Sequence, residues 1–507
     1  MTRLRQGRRS RLAIASFVAL VLGTLASPRG VLADSAAAGE ATSATTATAT
    51  STASAPSTEA STAATAPTTT TSAPASTPAK RRGWGQRSES GEVHGQLQTR
   101  YRARRGPYAG EEIDLYQYLD LRVGNETDKV SGTLYLRANT ELDKQRGPGD
   151  VLRNVDDTFD DPAARLYYGY VDVRDVGQLD RVRAGRQYIQ ELPGIWFDGV
   201  RVDLTSNEST NYTVYGGRPT HLFEDGSGGD SVVGLAAEHT FTEKLKMRFD
   251  LARVRDRIKP FGSVLPSAPL FRQESDLLTQ LMAYYSANDH LDLDARATRI
   301  DDKFRTLRVA GNFRYPGEKL YVSVYAERQP NAFLNQGTEF SPYFDVLGSA
   351  SPYTEFGTRA TKSFKDVEVT LGASNRGVLD GEGVRAFEQD FSRYFGNLFF
   401  PALFGHPKTT LSLDYDRYLG DASDFGSLGG ELGYQAGKLL RFSAGSSYAL
   451  YDFDPLTGLL RDHVREHYLA VDLKLESGWR LRSRLVYEPY QDGSEFRTFE
   501  LSARYSF

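Results

Sequence analysis

FRTFELSARYSF, residues 496–507, decides the fold. Phe499, Leu501, Ala503, Tyr505 and Phe507 fall on one parity, and Thr498, Glu500, Ser502, Arg504 and Ser506 on the other. Side chains of an extended strand alternate faces, so this stretch is a strand with one apolar and one polar face. Its apolar row ends on the last residue, an aromatic. A soluble sheet can supply the alternation, but it rarely finishes on an exposed phenylalanine.

The same period recurs upstream. Leu320, Val322, Val324 and Ala326 oppose Tyr321, Ser323, Tyr325 and Glu327. Leu469, Val471, Leu473 and Leu475 oppose Ala470, Asp472, Lys474 and Glu476. Trp479, Leu481, Leu485 and Tyr487 oppose Arg480, Arg482, Arg484 and Glu488. Short connections rich in Gly, Pro, Asn and Asp separate such runs, as at Asn125–Asp128, Asn288–His290, Pro316–Lys319 and Gly437–Lys438. Longer ones alternate with them, as at Leu142–Asp161, Gly217–Asp230, Asp256–Glu274 and Gln329–Ser351. A sandwich has no reason to sort its connections this way. A transmembrane barrel does, with short turns at one rim and long loops at the other. The expectation is an all-β fold, an antiparallel up-and-down transmembrane barrel of about 22 strands (range roughly 16–24). It occupies residues 92–507, and the non-alternating run Phe395–Phe404 is where its register is hardest to set.

Composition agrees. Tyr and Phe are abundant (28 and 27), Met is scarce (3), Cys is absent and mean hydropathy is low. A membrane barrel looks like this because only half of each strand is apolar. Without cysteine there is no disulfide framework and no thiolate metal site. Residues 1–33 have the pattern of a secretory signal. Arg3, Arg5, Arg8, Arg9 and Arg11 precede the apolar run Leu12–Leu25, and Val31-Leu32-Ala33 is a small-residue cleavage site. The apolar run is too short for a membrane helix. Residues 34–91 begin with a long Ala/Ser/Thr/Pro tract that lacks large apolar side chains, so it is expected to be a disordered arm in the periplasm. Cleavage removes six arginines and leaves 55 basic against 65 acidic residues, which disfavours nucleic acid as a partner.

In lipid, an outward Arg or Lys near the midplane costs about 2–4 kcal/mol, so the charged parity must face the lumen. Twelve basic and twelve acidic residues take that parity on the clearest strands. Candidates for the pore lining are Arg122, Arg201, Arg308, Arg314, Arg480, Arg482, Arg484, Asp292, Asp294, Glu327 and Asp414. Equal numbers of both signs imply a polar path with weak ion preference, or cross-strand pairs that stiffen the wall.

Catalytic signals are weak, and no cofactor is expected. His463-Val464-Arg465-Glu466-His467 has the H-x-x-E-H order of one metalloprotease class, but it runs into an alternating strand. There the two imidazoles stand roughly 13 Å apart, too far for one zinc. Asp156, Asp157, Asp160 and Asp161 form an acidic cluster that could take calcium or bridge lipopolysaccharide, though solvated acidic loops are more common.

The closing strand resembles that of Gram-negative outer-membrane barrels of the porin type, whose terminal aromatic is read by the barrel-assembly machinery. The resemblance makes Phe507 and Tyr505 the assembly signal. Ala184-Gly185-Arg186-Gln187 followed by Phe197-Asp198-Gly199-Val200-Arg201-Val202 resembles the "GRQ … FDG" hairpin of alginate-export-family barrels. That likeness implies an outer-membrane channel for passive or selective passage of small polar solutes, with Arg186 as a further pore-lining candidate and Asp198 a structural contact. Barrels of this width normally hold a plug. The arm is too short for one, so the alternatives are inward loops or a barrel that serves as sheath or export channel for a partner such as a multihaem cytochrome or a polysaccharide.

Overall fold

The computed structural model of this chain describes residues 93–106, 110–125, 127–143, 164–189, 195–220, 230–258, 272–331, 352–379, 390–420, 425–454, 459–490 and 494–507. The expected signal and arm, and the four aspartates at 156–161, lie outside these residues.

Strands form where the sequence alternates. The first eight are β1 (Val93–Arg105), β2 (Glu111–Val123), β3 (Val130–Glu141), β4 (Ala164–Val176), β5 (Leu179–Ile189), β6 (Ile195–Asn207), β7 (Thr210–Pro219) and β8 (Ser231–Thr242). Next come β9 (Leu245–Ile258), β10 (Arg272–Asn288), β11 (Leu291–Ile300), β12 (Lys303–Tyr315), β13 (Leu320–Gln329), β14 (Tyr353–Ser363) and β15 (Glu368–Val378). The last are β16 (Phe391–Phe400), β17 (Thr409–Gly420), β18 (Phe425–Ala436), β19 (Leu440–Asp454), β20 (Leu459–Lys474), β21 (Trp479–Pro489) and β22 (Glu495–Ser506).

Among the described residues these 22 strands form one antiparallel sheet in which each pairs with its sequence neighbours. β1 pairs with both β2 and β22, so the sheet closes: Tyr101 stands between Leu115 and Leu501. Closure leaves no backbone edge unpaired, the condition for crossing lipid. The connections sort as expected at one rim, the turn end. Gly177 and Gly478 turn there at φ of 67° and 86°, values that favour glycine. At the other rim, the loop end, sorting is looser than strict alternation. Asp301 and Asp302 alone join β11 to β12, with Asp301 at φ 51° and its carboxylate accepting from the Leu277 backbone N–H at 2.9 Å.

Register carries one apolar row round the barrel. Phe499, Leu485, Leu469 and Ala444 follow one another across β22, β21, β20 and β19. The run at Phe395 has a physical explanation. Tyr394, Leu398 and Phe400 take the outward row, and Phe391, Phe395 and Phe399 face the lumen, so both parities are apolar. Phe395 lies against Gly372 across the strand pair, where a Cβ would meet its ring at 2.1 Å. Three more inward aromatics lie over a facing glycine: Tyr215 over Gly234, Tyr325 over Gly357 and Tyr468 over Gly445. A ring over a bare backbone seals the gap that the missing side chain leaves.

Candidate functional site

The lumen is the place where this fold can act. The inward rows hold the predicted charges, and most are paired. Arg308 meets Glu327 at 2.9 Å, and Glu327 also accepts from the Tyr353 hydroxyl at 2.6 Å. Arg314 pairs with Asp292. Arg201 reaches Asp203 at 3.0 Å. Arg480 grips Asp472 with two bonds of 2.5 and 2.6 Å, and Arg484 meets Glu466 at 2.8 Å. Arg482 lies between them, opposite Asp472 and Ser502, and is exposed. Arg122 approaches Asp120 at 3.8 Å, Asp294 faces Ala310 and Tyr284, and Asp414 accepts from Asn397 at 2.6 Å. Cross-strand pairing of this kind stiffens the wall and cancels charge locally.

Arg186 departs from the expectation. In the β5–β6 register it sits opposite Asp198, in the row of Ala184 and Val200. That row is the outward one, because Arg183 and Arg201 take the lumen parity. Two bonds of 2.8 Å join Arg186 to Asp198, and a third of 2.8 Å runs to the Leu166 carbonyl. Asp198 does make the structural contact assigned to it, but its partner is not a pore residue.

The lumen wall is uneven. The inward side chains of Gln187, Phe197, Val232, Asp250, Val254, Leu278 and Gln280 are less than 2% exposed. On β1 and β2, Arg102 and Arg104 are also buried, tied to Glu112 and Asp114, with Arg102 donating to the Tyr116 hydroxyl at 2.8 Å. Along β12–β22 the long charged side chains stay hydrated: Arg308 is 41% and Arg480 45% exposed. Water therefore reaches the charged wall of β12–β22, and on the arc from β5 to β11 it reaches turn-end charges such as Lys246, 45% exposed, but not the loop-end cluster of Phe197, Val232, Val254 and Leu278.

Sequence reasoning missed the tyrosines of β2–β4. Tyr116, Tyr118, Tyr135, Tyr168 and Tyr170 face inward as a staircase of rings. Successive centroids are 5.3–6.5 Å apart with interplanar angles of 16–34°. The Arg137 guanidinium covers Tyr116 at 4.9 Å and that of Arg183 covers Tyr170 at 3.8 Å, which are cation–π distances. Beside the rings opens a cavity of about 450 Å³ lined by Gln96, Gln98, Arg100, Tyr118, Asp120, Tyr135 and Tyr168. Aromatic faces flanked by amides and charges can hold a small solute that is polar at its edges and apolar on its faces. The parity of β2 alone, with Asp114, Tyr116, Tyr118 and Asp120 in one row, was the available signal.

His463 and His467 lie on β20, where the Tyr448 hydroxyl bonds the first imidazole and the Ser446 hydroxyl the second at 3.0 Å. The strand placement matches the sequence expectation. Tyr505 stacks with Trp479 at 4.9 Å and with Phe507 at 5.8 Å on the outward face of the turn end.

No family model matches this sequence, and no curated protein does. Solved structures share its architecture. The siderophore receptor PirA from Pseudomonas aeruginosa superposes with a TM-score of 0.50 at 12% identity, covering 83% of this chain and 81% of the receptor. OccK3 (OpdO) from the same organism gives 0.40 at 12% identity, covering 82% and 96%. The P. aeruginosa outer-membrane protein opdK gives 0.39 at 11%, covering 82% and 99%. The likeness to the receptor is one of fold: a closed antiparallel barrel of the outer-membrane type.

Proposed function

We propose that this protein is a Gram-negative outer-membrane channel for passive passage of small polar solutes, not an enzyme. The observation that carries the reading is the hydrated, charge-lined wall of β12–β22 inside a closed barrel. Solutes would follow that wall, and the tyrosine staircase would give those with a flat apolar face a resting point. In this reading the turn end faces the periplasm, residues 34–91 hang there, and Phe507 and Tyr505 address the assembly machinery.

The purified barrel in a planar bilayer should conduct without a partner and with weak ion preference, because inward acids and bases balance. Replacing Arg480, Arg482 and Arg484 by Ser should then move reversal potentials towards cation preference. Each change removes one positive charge, and two also leave Asp472 and Glu466 without their partners. Raising salt should shrink the shift, since charges are screened over about 10 Å at 0.1 M. A barrel that inserts and never conducts would defeat the open-channel reading in favour of a filled lumen.

A further inference from the structure

On several rising strands the outward face carries an arginine at one level. On β7, β9, β11, β13 and β17, which all rise from the turn end, the outward row is uncharged for its first positions. It then reaches an arginine eight residues after the strand begins: Arg218, Arg253, Arg299, Arg328 and Arg417. Met247, Phe249 and Leu251 precede Arg253, and Val322, Val324 and Ala326 precede Arg328. None of these five outward rows contains an acid, and of their arginines Arg218 stands opposite the outward Asp198 of β6. Register confirms the side. Arg253 stands between Val233 and Leu277, and Arg328 between Leu307 and Thr354. Arg218, Arg253, Arg299 and Arg417 are exposed, and Arg253 alternates with the buried, inward Ala252 and Val254.

Five independent strands place this residue at one height. Eight residues at about 3.3 Å each, tilted by roughly 40°, rise about 20 Å, and an upward-reaching arginine covers the rest of an apolar band about 25 Å tall. The guanidiniums therefore lie in the interfacial layer at the loop end. Two falling strands mark the same layer: Arg465 and Arg497 lie 5.9 Å from the ring centres of Tyr448 and Tyr487 on the facing strand. Outward aromatics collect at membrane interfaces.

We propose that this collar binds the phosphate groups of phosphorylated glycolipid in the outer leaflet. The complementarity is of charge and geometry. Guanidinium forks match phosphate oxygens bidentately. The arginines of β7, β9, β11 and β13 stand two strands apart, about 10 Å, so a headgroup with two phosphates can engage neighbours. Anchoring of this kind holds the barrel at a fixed depth and is separate from passage through the lumen.

The test uses the full mature chain, with lipid A and enzymatically dephosphorylated lipid A as probes. Binding is counted by native mass spectrometry of the detergent-solubilised barrel. We expect phosphorylated lipid A to bind wild type well above its dephosphorylated form. Arg253→Gln/Arg299→Gln/Arg328→Gln should bind it on the order of 100-fold more weakly, at roughly fivefold per arginine. The same three positions as Lys should recover part of the binding, since an ammonium keeps the charge but not the fork. If the triple variant does not give a heat-modifiable barrel, Arg299→Gln alone should still show the fivefold loss. Equal binding of both lipids to wild type, or unchanged binding by the Gln variants, overturns the collar. Conductance of the variants separates this from the channel reading, because these side chains lie outside the lumen.

Discussion

Single residues in this barrel are governed by which side of the wall they occupy. Arg201 and Arg504 each sit in a strand whose opposite row is apolar, and the register puts both on the parity of the other strand charges. Arg186 was misplaced because it was assigned by its motif and not by counting. Val200 and Val202 already set the outward row, and Asp198 belongs to it. Phe507 shows how much one residue can hold. Its backbone exchanges two hydrogen bonds with Gly95, of 2.8 and 3.0 Å, and its ring covers the place where a Gly95 side chain would stand. Deleting Phe507 removes that clasp. Heat-modifiable mobility should then show less folded barrel in the outer membrane at unchanged synthesis. An unchanged folded yield would deny the clasp any part in assembly.

At the scale of the element, strand number and turn positions were legible because a two-residue period and turn chemistry are local. The ring-on-glycine joints were not, since they need the register between strands, which no single strand contains. Their energetics are testable. Gly372→Val drives a branched side chain into the Phe395 ring, and overpacking of this kind costs about 1–3 kcal/mol. Denaturant titration of the barrel in vesicles should show a lower midpoint for Gly372→Val. Gly377→Ala, which would meet nothing within 4 Å, should leave the midpoint in place. Adding Phe395→Ala to Gly372→Val should recover part of the loss. Additive losses would mean that ring and glycine do not touch in the membrane.

For the whole molecule, closure was foreseeable from composition and alternation, but the uneven lumen was not. Which inward side chains are covered depends on which residues of neighbouring strands gather beside them, as Phe197, Tyr215, Val232, Val254 and Leu278 do, and a single strand's pattern is silent about that. Export can be checked at the same scale: N-terminal sequencing of membrane-extracted protein should start at Asp34, and a start at Met1 would refute secretion. The seam between β1 and β22 also sets a clock. Gln98 bonds Ser502, and Arg100 bonds Glu500, across about four hundred residues of chain. Those partners sit on the first and last strands of the sheet, so β1 has only β2 beside it until β22 arrives. Bringing such distant ends together carries an entropic cost that grows with the logarithm of the loop, and an unpaired strand invites foreign pairing meanwhile. Until the two meet, the ring is an open sheet with two bare edges. Its lifetime before closure, more than its strength afterwards, is where a cell would need to guard it.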